Sequence, residues 1–204
     1  MKLFLFFLLL FPAFLFAQRI DTVIDNGIYK SYYNYSLREP VFVVYPLYKG
    51  GGPCSRRGMY FKPGGVRYPA SFHDYYKTGY DMGHLANFED FASDCNNGES
   101  TFRFYNCLPQ TPNLNRGIWK RYEYMIRSIS QNEHLLVICG GYSYTKRIGL
   151  IAVPDYCWKV VYSLDKHVIV YCLMFTNDND AKMTQETVST LENKLGYSIR
   201  GFLK

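Results

Sequence analysis

The segment that decides the fold of this chain begins with Tyr80-Asp81-Met82-Gly83-His84-Leu85-Ala86. It ends with Asn113-Leu114-Asn115-Arg116-Gly117-Ile118-Trp119-Lys120-Arg121-Tyr122-Glu123. His84 follows a glycine, so we expect it at a strand end or turn that presents its ring outward. From Asn115 onward, apolar residues recur at three- and four-residue steps, which predicts an amphipathic helix. The apolar stripe of that helix consists of Ile118, Trp119, Tyr122, Met125, Ile126 and Ile129.

Strand-like segments lie on both sides of the predicted helix. Alternating aromatic, β-branched and polar residues predict strands at 27–35 and 41–48, which we expect to form a hairpin. The same patterns predict further strands at 102–107, 135–139, 150–153, 158–164 and 168–175, loops at 49–65 and 88–99, a short helix or turn within 68–80, and a helix from Thr187 to Gly196. This order predicts an α+β domain with a mixed, mainly antiparallel central sheet.

The N-terminus has the form of a secretory signal peptide. Lys2 precedes an uninterrupted apolar run at 3–16, Ala17 follows, and Gln18 is the first polar residue after it. The run is shorter than the roughly 20 residues of a membrane-spanning helix, so we expect removal of 1–17 and a secreted or periplasmic protein without stable membrane association. Leu15 stands where a small side chain is usual, which leaves an uncleaved anchor as the alternative. Residues 18–204 suit one domain.

Six cysteines lie beyond the signal peptide, where an oxidising compartment would allow disulfides in several pairings. We predict a bond between Cys95 and Cys107, because these two residues bracket the segment that leads to Asn106. Cys139 and Cys172 lie inside apolar strand-like runs, which fits either buried thiols or a cross-strand bridge. The sequence has no Cys-x-x-Cys pair, which argues against a structural zinc site.

The polar residues of the central segment allow both a structural and a catalytic interpretation. A histidine taken alone is more often structural or at the surface than catalytic. Asn115 could cap the helix, or its side-chain oxygen could bind a hard divalent cation. Glu123 lies about two helical turns further on and Arg127 about one more, where they could line a groove or form a solvated i,i+4 ion pair. Spacing alone favours the ion pair.

The segment as a whole resembles the signature of the DNA/RNA non-specific endonucleases. These are ββα-metal or His-Me finger nucleases, which include secreted sugar-non-specific bacterial nucleases and mitochondrial endonuclease G. Their signature reads Asp-Arg-Gly-His, then Asn-x-x-Pro-Gln, then Leu-Asn-x-Gly-x-Trp with a Glu and an Arg on the same helix. Here it corresponds to 81–84, 106–110, 114–119, Glu123 and Arg127.

The likeness extends beyond the central segment, loosely to Arg57 upstream and more closely to Val153-Pro154, Trp158-Lys159 and the strand that ends at Phe175 downstream. It therefore covers most of the chain after the signal peptide. The fold that it implies is an α+β domain that contains a ββα-metal catalytic motif.

The resemblance also implies a role for each matched side chain. His84 would be the general base that deprotonates water, and Asn115 would be the direct protein ligand of one Mg²⁺ ion, for which Mn²⁺ could substitute. Glu123 would orient metal-bound water. Arg57, the weaker match, and Arg127 would bind or neutralise the scissile phosphate.

Asn106 would brace this site without reacting. The substrate implied is DNA, RNA or both, cut with little base preference because the contacts are to phosphates. The formal net charge of +6, which becomes +5 without Lys2, is compatible with a polyanionic partner but does not demonstrate one. The sequence leaves open an inhibitor protein and the oligomeric state.

Met82 departs from the family pattern, which has arginine at this position. The loss of a guanidinium removes a charge-assisted phosphate contact, so we expect weaker substrate binding or slower turnover. The base and the metal ligand are retained, and we therefore predict an active enzyme. The alternative is an attenuated or inactive relative that only binds nucleic acid, and a purely structural exported domain is a third interpretation.

Overall fold

The computed structural model describes residues 19–204. The predicted signal peptide at 1–17 lies outside the described residues. Within residues 19–204, no helix is both long enough and apolar enough to cross a membrane.

The described chain is an α+β fold, as the sequence predicts. Its strands are β1 Thr22–Asp25, β2 Lys30–Asn34, β3 Glu39–Leu47, β4 Asp81–His84, β5 Cys107–Gln110, β6 Leu135–Tyr142, β7 Lys146–Ile148, β8 Ile151–Val153, β9 Tyr156–Ser163, β10 Val168–Thr176 and β11 Met183–Gln185. Its α-helices are α1 Phe72–Tyr75, α2 Cys95–Ser100, α3 Lys120–Ser130 and α4 Val188–Leu195. Short 3-10 turns lie at Phe88–Asp90, Phe104–Asn106 and Arg200–Phe202.

Seven strands form one antiparallel sheet in the order β1-β2-β3-β6-β9-β10-β11. The predicted hairpin of the first strands is confirmed, since β2 pairs with β3. The central strands β3, β6 and β9 are almost wholly buried, because both faces of the sheet are covered. Two small antiparallel pairs, β4-β5 and β7-β8, lie outside this sheet.

Each face of the sheet packs its own apolar core. On one face, side chains such as Val43, Val137 and Val161 pack against Leu114, Trp119 and Ile126 from the central segment. On the other face, Trp158 and Val160 pack against α4. Thr187 caps α4 by accepting a hydrogen bond from the Thr190 amide, and Gly196 ends the helix at φ 75°, as the sequence predicts. The sheet is therefore the rigid support on which the central segment is mounted.

The prediction of one continuous helix from Asn115 is wrong at Gly117. Leu114–Trp119 forms a wide helical turn in which Gly117 has φ −102° and ψ −110°, and only then does α3 run from Lys120 to Ser130. Glycine has no Cβ to oppose such a conformation. The break changes the direction of the chain between Asn115 and Glu123, so their separation does not follow a regular helical rise.

The predicted loop at 88–99 is also wrong in part, because it contains the 3-10 turn Phe88–Asp90 and the helix α2. Asp94 caps α2 by accepting hydrogen bonds from the Asn96 and Asn97 amides. The strand predicted at 102–107 begins later, at Cys107, because the residues before it form a 3-10 turn.

The predicted disulfide between Cys95 and Cys107 is wrong, because Cys95 is bonded to Cys54. The thiol of Cys107 is buried and lies 3.2 Å from the Tyr75 hydroxyl. Cys139 and Cys172 are buried free thiols, which agrees with one of the two interpretations that the sequence allows. The Cys54–Cys95 bond fastens the loop between β3 and α1 to α2.

Replacing both Cys54 and Cys95 by serine is expected to lower the free energy of unfolding by roughly 3–4 kcal/mol. The bond spans a sequence separation of 41 residues, and its loss restores the conformational entropy of that loop to the unfolded chain. Urea unfolding of both proteins measures the difference. Reductant should bring the wild-type protein to the stability of the double variant and leave the variant unchanged. Equal stability of the oxidised proteins would contradict the prediction.

Candidate active site

Two strands and a helix bring the polar residues of the central segment together. β4 pairs antiparallel with β5, so that Asp81 lies opposite Gln110 and His84 opposite Cys107. Gly83 permits this pairing, because a Cβ at this position would lie 2.1 Å from Gln110 Oε1. The chain then leaves β5 and enters the kinked turn and α3. The resulting unit has the order strand, strand, helix.

Asn106 joins the two strands by hydrogen bonds from both ends of its amide. Its side-chain oxygen accepts from the Ala86 amide at 2.8 Å, and its nitrogen donates to the carbonyl oxygens of Ala86 at 2.8 Å and Thr101 at 2.9 Å. The residue is fully buried. It therefore fixes the backbone just beyond His84 and does not itself face the cleft.

His84 lies at the end of β4 with its ring between two aromatic side chains. The centroids of Phe61 and Phe102 are 4.5 Å and 4.6 Å from the centroid of the imidazole. Only 7% of His84 is exposed, and its Nε2 is buried without a hydrogen-bond partner among the described residues. Burial, together with the positive charge of Arg56, lowers the pKa of His84 to about 3. The imidazole is therefore neutral at pH 7 and has a lone pair available.

The pKa of His84 predicts a loss of stability in mild acid. The unfolded chain binds a proton near the ordinary value of 6.5, whereas folded His84 does so only at about 3, so the unfolded state binds more protons between these values. From about pH 7 to about pH 5, we expect the free energy of unfolding to fall by about 2 kcal/mol more for the wild-type protein than for His84→Gln. Urea unfolding at both pH values measures this difference. Equal losses in the two proteins would contradict it.

His84 lies in the wall of a cleft of about 810 Å³. The charged and amide side chains in the wall are Arg56, Asp81, Asn87, Glu89, Asn115, Arg116, Lys120, Glu123 and Arg127. The apolar and aromatic side chains are Met59, Tyr60, Phe61, Phe72, Met82, Phe102 and Tyr124. The cleft thus collects residues from the loop before α1, from α1, from β4 and from α3.

Asn115 lies beside the aspartate that begins β4. Its side-chain nitrogen donates to Asp81 Oδ2 at 2.9 Å, and no described residue donates to its side-chain oxygen. Arg116 holds the same carboxylate in a forked pair, with Nε 2.7 Å from Oδ2 and an Nη 2.6 Å from Oδ1. Burial acts to raise the pKa of Asp81, but the hydrogen bonds from Arg116 and Asn115 outweigh it and lower the pKa. Asp81 is therefore a carboxylate at pH 7.

Glu123 enters the cleft from the first turn of α3, where it is largely buried. Burial raises the pKa of its carboxyl group, although Lys159, Asn87 and Arg127 act in the opposite direction. Lys159 is itself buried, with its ammonium 4.1 Å from the centre of the Trp119 ring. The interior beneath the cleft thus contains a cation that opposes the charge of Glu123.

Arg127 forms an ion pair with Asp90, with Nε 3.0 Å from Oδ1, and the hydroxyl of Tyr45 donates to the other oxygen of this carboxylate. In the described part of the chain, Arg127 therefore pairs with Asp90 and not with Glu123. Arg127 also lines the cleft. Its guanidinium is held in one place by a buried carboxylate, which suits a fixed contact with an anion.

Of the two adjacent arginines in the disulfide-bonded loop, Arg56 lines the cleft and Arg57 does not. The Arg56 guanidinium lies 5.7 Å from the centre of the Phe102 ring and lowers the pKa of His84 through its charge. Arg57 is exposed. The structure therefore groups His84, Asn115, Glu123 and Arg127 around one cleft, with Asn106 buried behind it and Arg57 outside it.

Sequence reasoning gave no role to Asp81, Arg56, Arg116 or Lys120, all of which line the cleft. For Asp81 and Arg116, the available signal in the sequence was their position within the segment that resembles the family signature. Their contact joins positions 35 residues apart and follows no local period. For Arg56 the only signal was its position next to Arg57.

The cleft and the elements beneath it define a class of protein: an α+β fold in which two antiparallel strands and a helix present a histidine, an asparagine and a glutamate. The sequence profile of the DNA/RNA non-specific endonucleases matches residues 13–201. The chain belongs to this family.

Two curated relatives show the same similarity in sequence. A protein named Nuclease from Nostoc sp. (strain PCC 7120 / SAG 25.82 / UTEX 2576) is 31% identical over 140 residues, which are 60% of this chain and 51% of the relative. The mitochondrial endonuclease G of Homo sapiens is 31% identical over 103 residues, which are 43% of this chain and 35% of the relative. The chain thus spans about half and about a third of the length of these two relatives.

A solved structure shows the same fold. A chain in the crystal structure of the EndoG/EndoGI complex, which concerns the mechanism of EndoG inhibition, superimposes with a TM-score of 0.75. The alignment covers 88% of this chain and 85% of that chain at 22% sequence identity. The predicted fold class, with its ββα-metal unit and mainly antiparallel sheet, is confirmed.

Proposed function

We propose that this protein is a metal-dependent endonuclease that hydrolyses phosphodiester bonds in DNA and RNA with little sequence preference. The observation that carries the proposal is the neutral His84 in the cleft wall, with a buried and unpartnered Nε2, on the same cleft as Asn115 and Glu123. Family membership and the curated relatives support nuclease chemistry.

His84 acts as the general base, since its neutral ring can accept a proton from the attacking water. A pKa of about 3 alone would make it a weak base. A phosphate bound in the cleft would offset the charge of Arg56, the smaller of the two causes, and would raise the pKa in part, whereas burial, the larger cause, would remain. The base is therefore strongest when the substrate is bound.

The residues of the cleft fit a single hydrated Mg²⁺ ion. In residues 19–204 no three His, Cys, Asp or Glu side chains lie close enough together to share a metal ion, which argues against a site built wholly from such ligands. Mg²⁺ keeps several waters and needs few protein oxygens. Asn115 offers an amide oxygen that no described residue occupies, and Glu123 offers a carboxylate on the same cleft.

When bound, the ion would supply positive charge that stabilises the phosphate and the leaving oxygen. The chain contributes the remaining functions. Arg127, held by Asp90, binds the phosphate from one side of the cleft, and Arg56 replaces Arg57 as our candidate for the second guanidinium. Asn106 keeps β4 and its histidine in place.

Incubation of purified protein from residue 18 onward with supercoiled plasmid tests the function. We expect nicking in Mg²⁺, slower or comparable nicking in Mn²⁺, and none in EDTA. Activity that persists in EDTA would overturn the metal-dependent mechanism. Salt-sensitive binding without nicking in any divalent metal would favour the alternative, a relative that only binds nucleic acid.

Replacing Met82 by arginine is expected to raise kcat/KM about tenfold, because it adds one charge-assisted phosphate contact to the cleft. Met82 lines the cleft and is partly exposed, so the longer side chain has room to reach the substrate. Met82→Leu serves as the control, since it keeps the apolar contact and adds no charge. An unchanged or lower rate in Met82→Arg would show that this position does not attenuate the enzyme.

We also propose that the protein is exported by its N-terminal segment and that an inhibitor protein can regulate it. The first proposal is supported by the signal-like pattern of 1–17. The second is supported by the similarity of the fold to EndoG, which was crystallised in a complex with EndoGI.

A further inference from the structure

Three large aromatic side chains are exposed on the cleft that contains His84. Tyr60, Phe72 and Tyr124 have 60%, 46% and 69% of their surface in contact with solvent. They come from three different elements, namely the disulfide-bonded loop, α1 and α3, yet all three line the same cleft. Isolated exposed aromatic residues are common at protein surfaces, but several on one cleft indicate a binding site.

The side chains of Tyr60 and Tyr124 are largely exposed and are not stacked on another aromatic ring. Among residues 19–204 no aromatic ring packs on either of them, and the Lys62 ammonium lies over the Tyr60 ring, 5.6 Å from its centre. Phe72 contacts Phe104 edge-on, with 5.6 Å between ring centres. By contrast, the exposed Tyr48 is already covered by His134, at 3.8 Å.

The basic side chains of the same cleft suit a phosphate backbone. Arg56 and Lys120 line the same cleft, as do Arg116 and Arg127, whose charges are offset by Asp81 and Asp90. The remaining carboxylates in the wall are Glu89 and Glu123. A cleft that combines basic groups with exposed aromatic rings is typical of surfaces that bind single-stranded nucleic acid, in which bases stack and phosphates pair with cations.

The position of His84 favours a flexible strand over a duplex. Its ring is largely buried between Phe61 and Phe102, so a reacting phosphate has to enter the cleft to reach the imidazole. A duplex is stiff over about 150 base pairs and keeps its bases paired inside. A single strand can bend into the cleft and expose its base faces to the aromatic rings.

Resting on the proposed nuclease function, we propose that Tyr60, Phe72 and Tyr124 form a subsite that stacks unpaired nucleobases, so that the preferred substrate is single-stranded nucleic acid. The subsite binds bases through their faces and therefore selects strandedness, not sequence. Arg56 and Lys120 hold the phosphates that connect the stacked bases.

Binding in EDTA, where cleavage is not expected, tests the subsite directly. Fluorescence anisotropy with a labelled oligonucleotide of about 12 residues is compared with the corresponding duplex. We expect wild-type protein to bind the single strand at least about tenfold more tightly, and Tyr60→Ala and Tyr124→Ala each to weaken single-strand binding by about tenfold. Duplex binding should change by less than about twofold, because paired bases do not offer their faces.

Two further variants separate stacking from general effects. Tyr60→Phe and Tyr124→Phe retain the ring and should retain single-strand binding. Tyr76→Ala removes a tyrosine that is 70% exposed but does not line the cleft, and it should bind both substrates like the wild-type protein. Circular dichroism of each variant shows whether the fold is kept.

Equal loss of single-strand and duplex binding in the alanine variants would overturn the proposal, as would no loss at all. Cleavage assays in Mg²⁺ with both substrates distinguish this from failure of the proposed function. If the protein cuts both substrates but the tyrosine variants do not discriminate between them, only the subsite is wrong. If wild-type protein cuts neither substrate, the proposed nuclease function is wrong as well.

Discussion

Replacing His84 by alanine is expected to slow phosphodiester cleavage by about 10²–10⁴-fold, the usual contribution of a positioned general base. The physical reason is the loss of the neutral imidazole, which lines the cleft and whose Nε2 has no hydrogen-bond partner among the described residues. Plasmid nicking under single-turnover conditions measures the effect. Binding of nucleic acid in EDTA should change little, because the phosphate contacts come from arginine side chains.

His73→Ala is the matched control for this substitution. His73 is an exposed histidine on α1 and does not line the cleft, so its loss should leave the rate unchanged. Added imidazole should restore part of the rate in His84→Ala, since the small molecule can occupy the space left between Phe61 and Phe102. A His84→Ala protein that nicks plasmid at the wild-type rate would exclude His84 as the base.

Replacing Asn115 by alanine is expected to weaken Mg²⁺ binding and lower the rate at moderate Mg²⁺ by about 10²-fold, because a bound ion loses its direct protein ligand. The rate should recover in part as the Mg²⁺ concentration is raised. Electron paramagnetic resonance of bound Mn²⁺ gives a measure of metal affinity that does not depend on catalysis. Asn113→Ala is the control, since Asn113 lies on the neighbouring turn, is exposed, and donates to the Asn179 carbonyl.

Asn115→Asp separates the metal contact from the contact with Asp81. The new carboxylate retains an oxygen for the cation but would lie against Asp81 Oδ2, which the native amide nitrogen approaches to 2.9 Å. We therefore expect repulsion between the two carboxylates when metal is absent and stronger dependence of stability on Mg²⁺. Normal Mn²⁺ affinity in Asn115→Ala would show that another side chain holds the ion.

Much of the fold can be predicted from local sequence patterns, namely the alternation of residues in strands and the capping residues of helices. The alternation in β2 and β3 and the capped helix from Thr187 to Gly196 depend on neighbouring residues, and both are confirmed. The apolar stripe of the central helix can also be recognised in the sequence. Gly117, however, breaks the helical backbone geometry, although the spacing of the apolar residues continues across it. A single glycine in an apolar stripe gives no sign of which backbone conformation it will adopt.

Pairings between distant residues could not be predicted in the same way. Cys95 and Cys107 are close in sequence, but Cys107 lies in β5, where it is buried next to Tyr75. Cys95 is bonded instead to Cys54, which lies in a loop without a periodic pattern of apolar residues. The contact between Asp81 and Arg116 likewise requires β4 to lie against the kinked turn. Such contacts are decided by the packing of the whole chain, which the spacing of residues does not encode.

For Arg56 and Arg57, which lie in a loop, the sequence does not show which of the two side chains lines the cleft. Both are arginines in a glycine-rich stretch, and no strand or helix period assigns one of them inward. The position of Arg56 in the cleft wall depends on the disulfide at Cys54 and on the contact of its guanidinium with the Phe102 ring.

The Cys54–Cys95 bond is expected to make the proposed activity depend on whether these two cysteines are oxidised. The loop that it fastens carries Arg56 and Tyr60, which line the cleft and are our candidates for a phosphate contact and a stacking face. A molecule in which Cys54 and Cys95 are reduced can still present His84 from β4 and Asn115 from the kinked turn. Its loop between β3 and α1, however, is no longer bonded to α2. On the proposed nuclease function, we expect the reduced protein to be a slower enzyme than the oxidised protein, and formation of the bond would then be a maturation step.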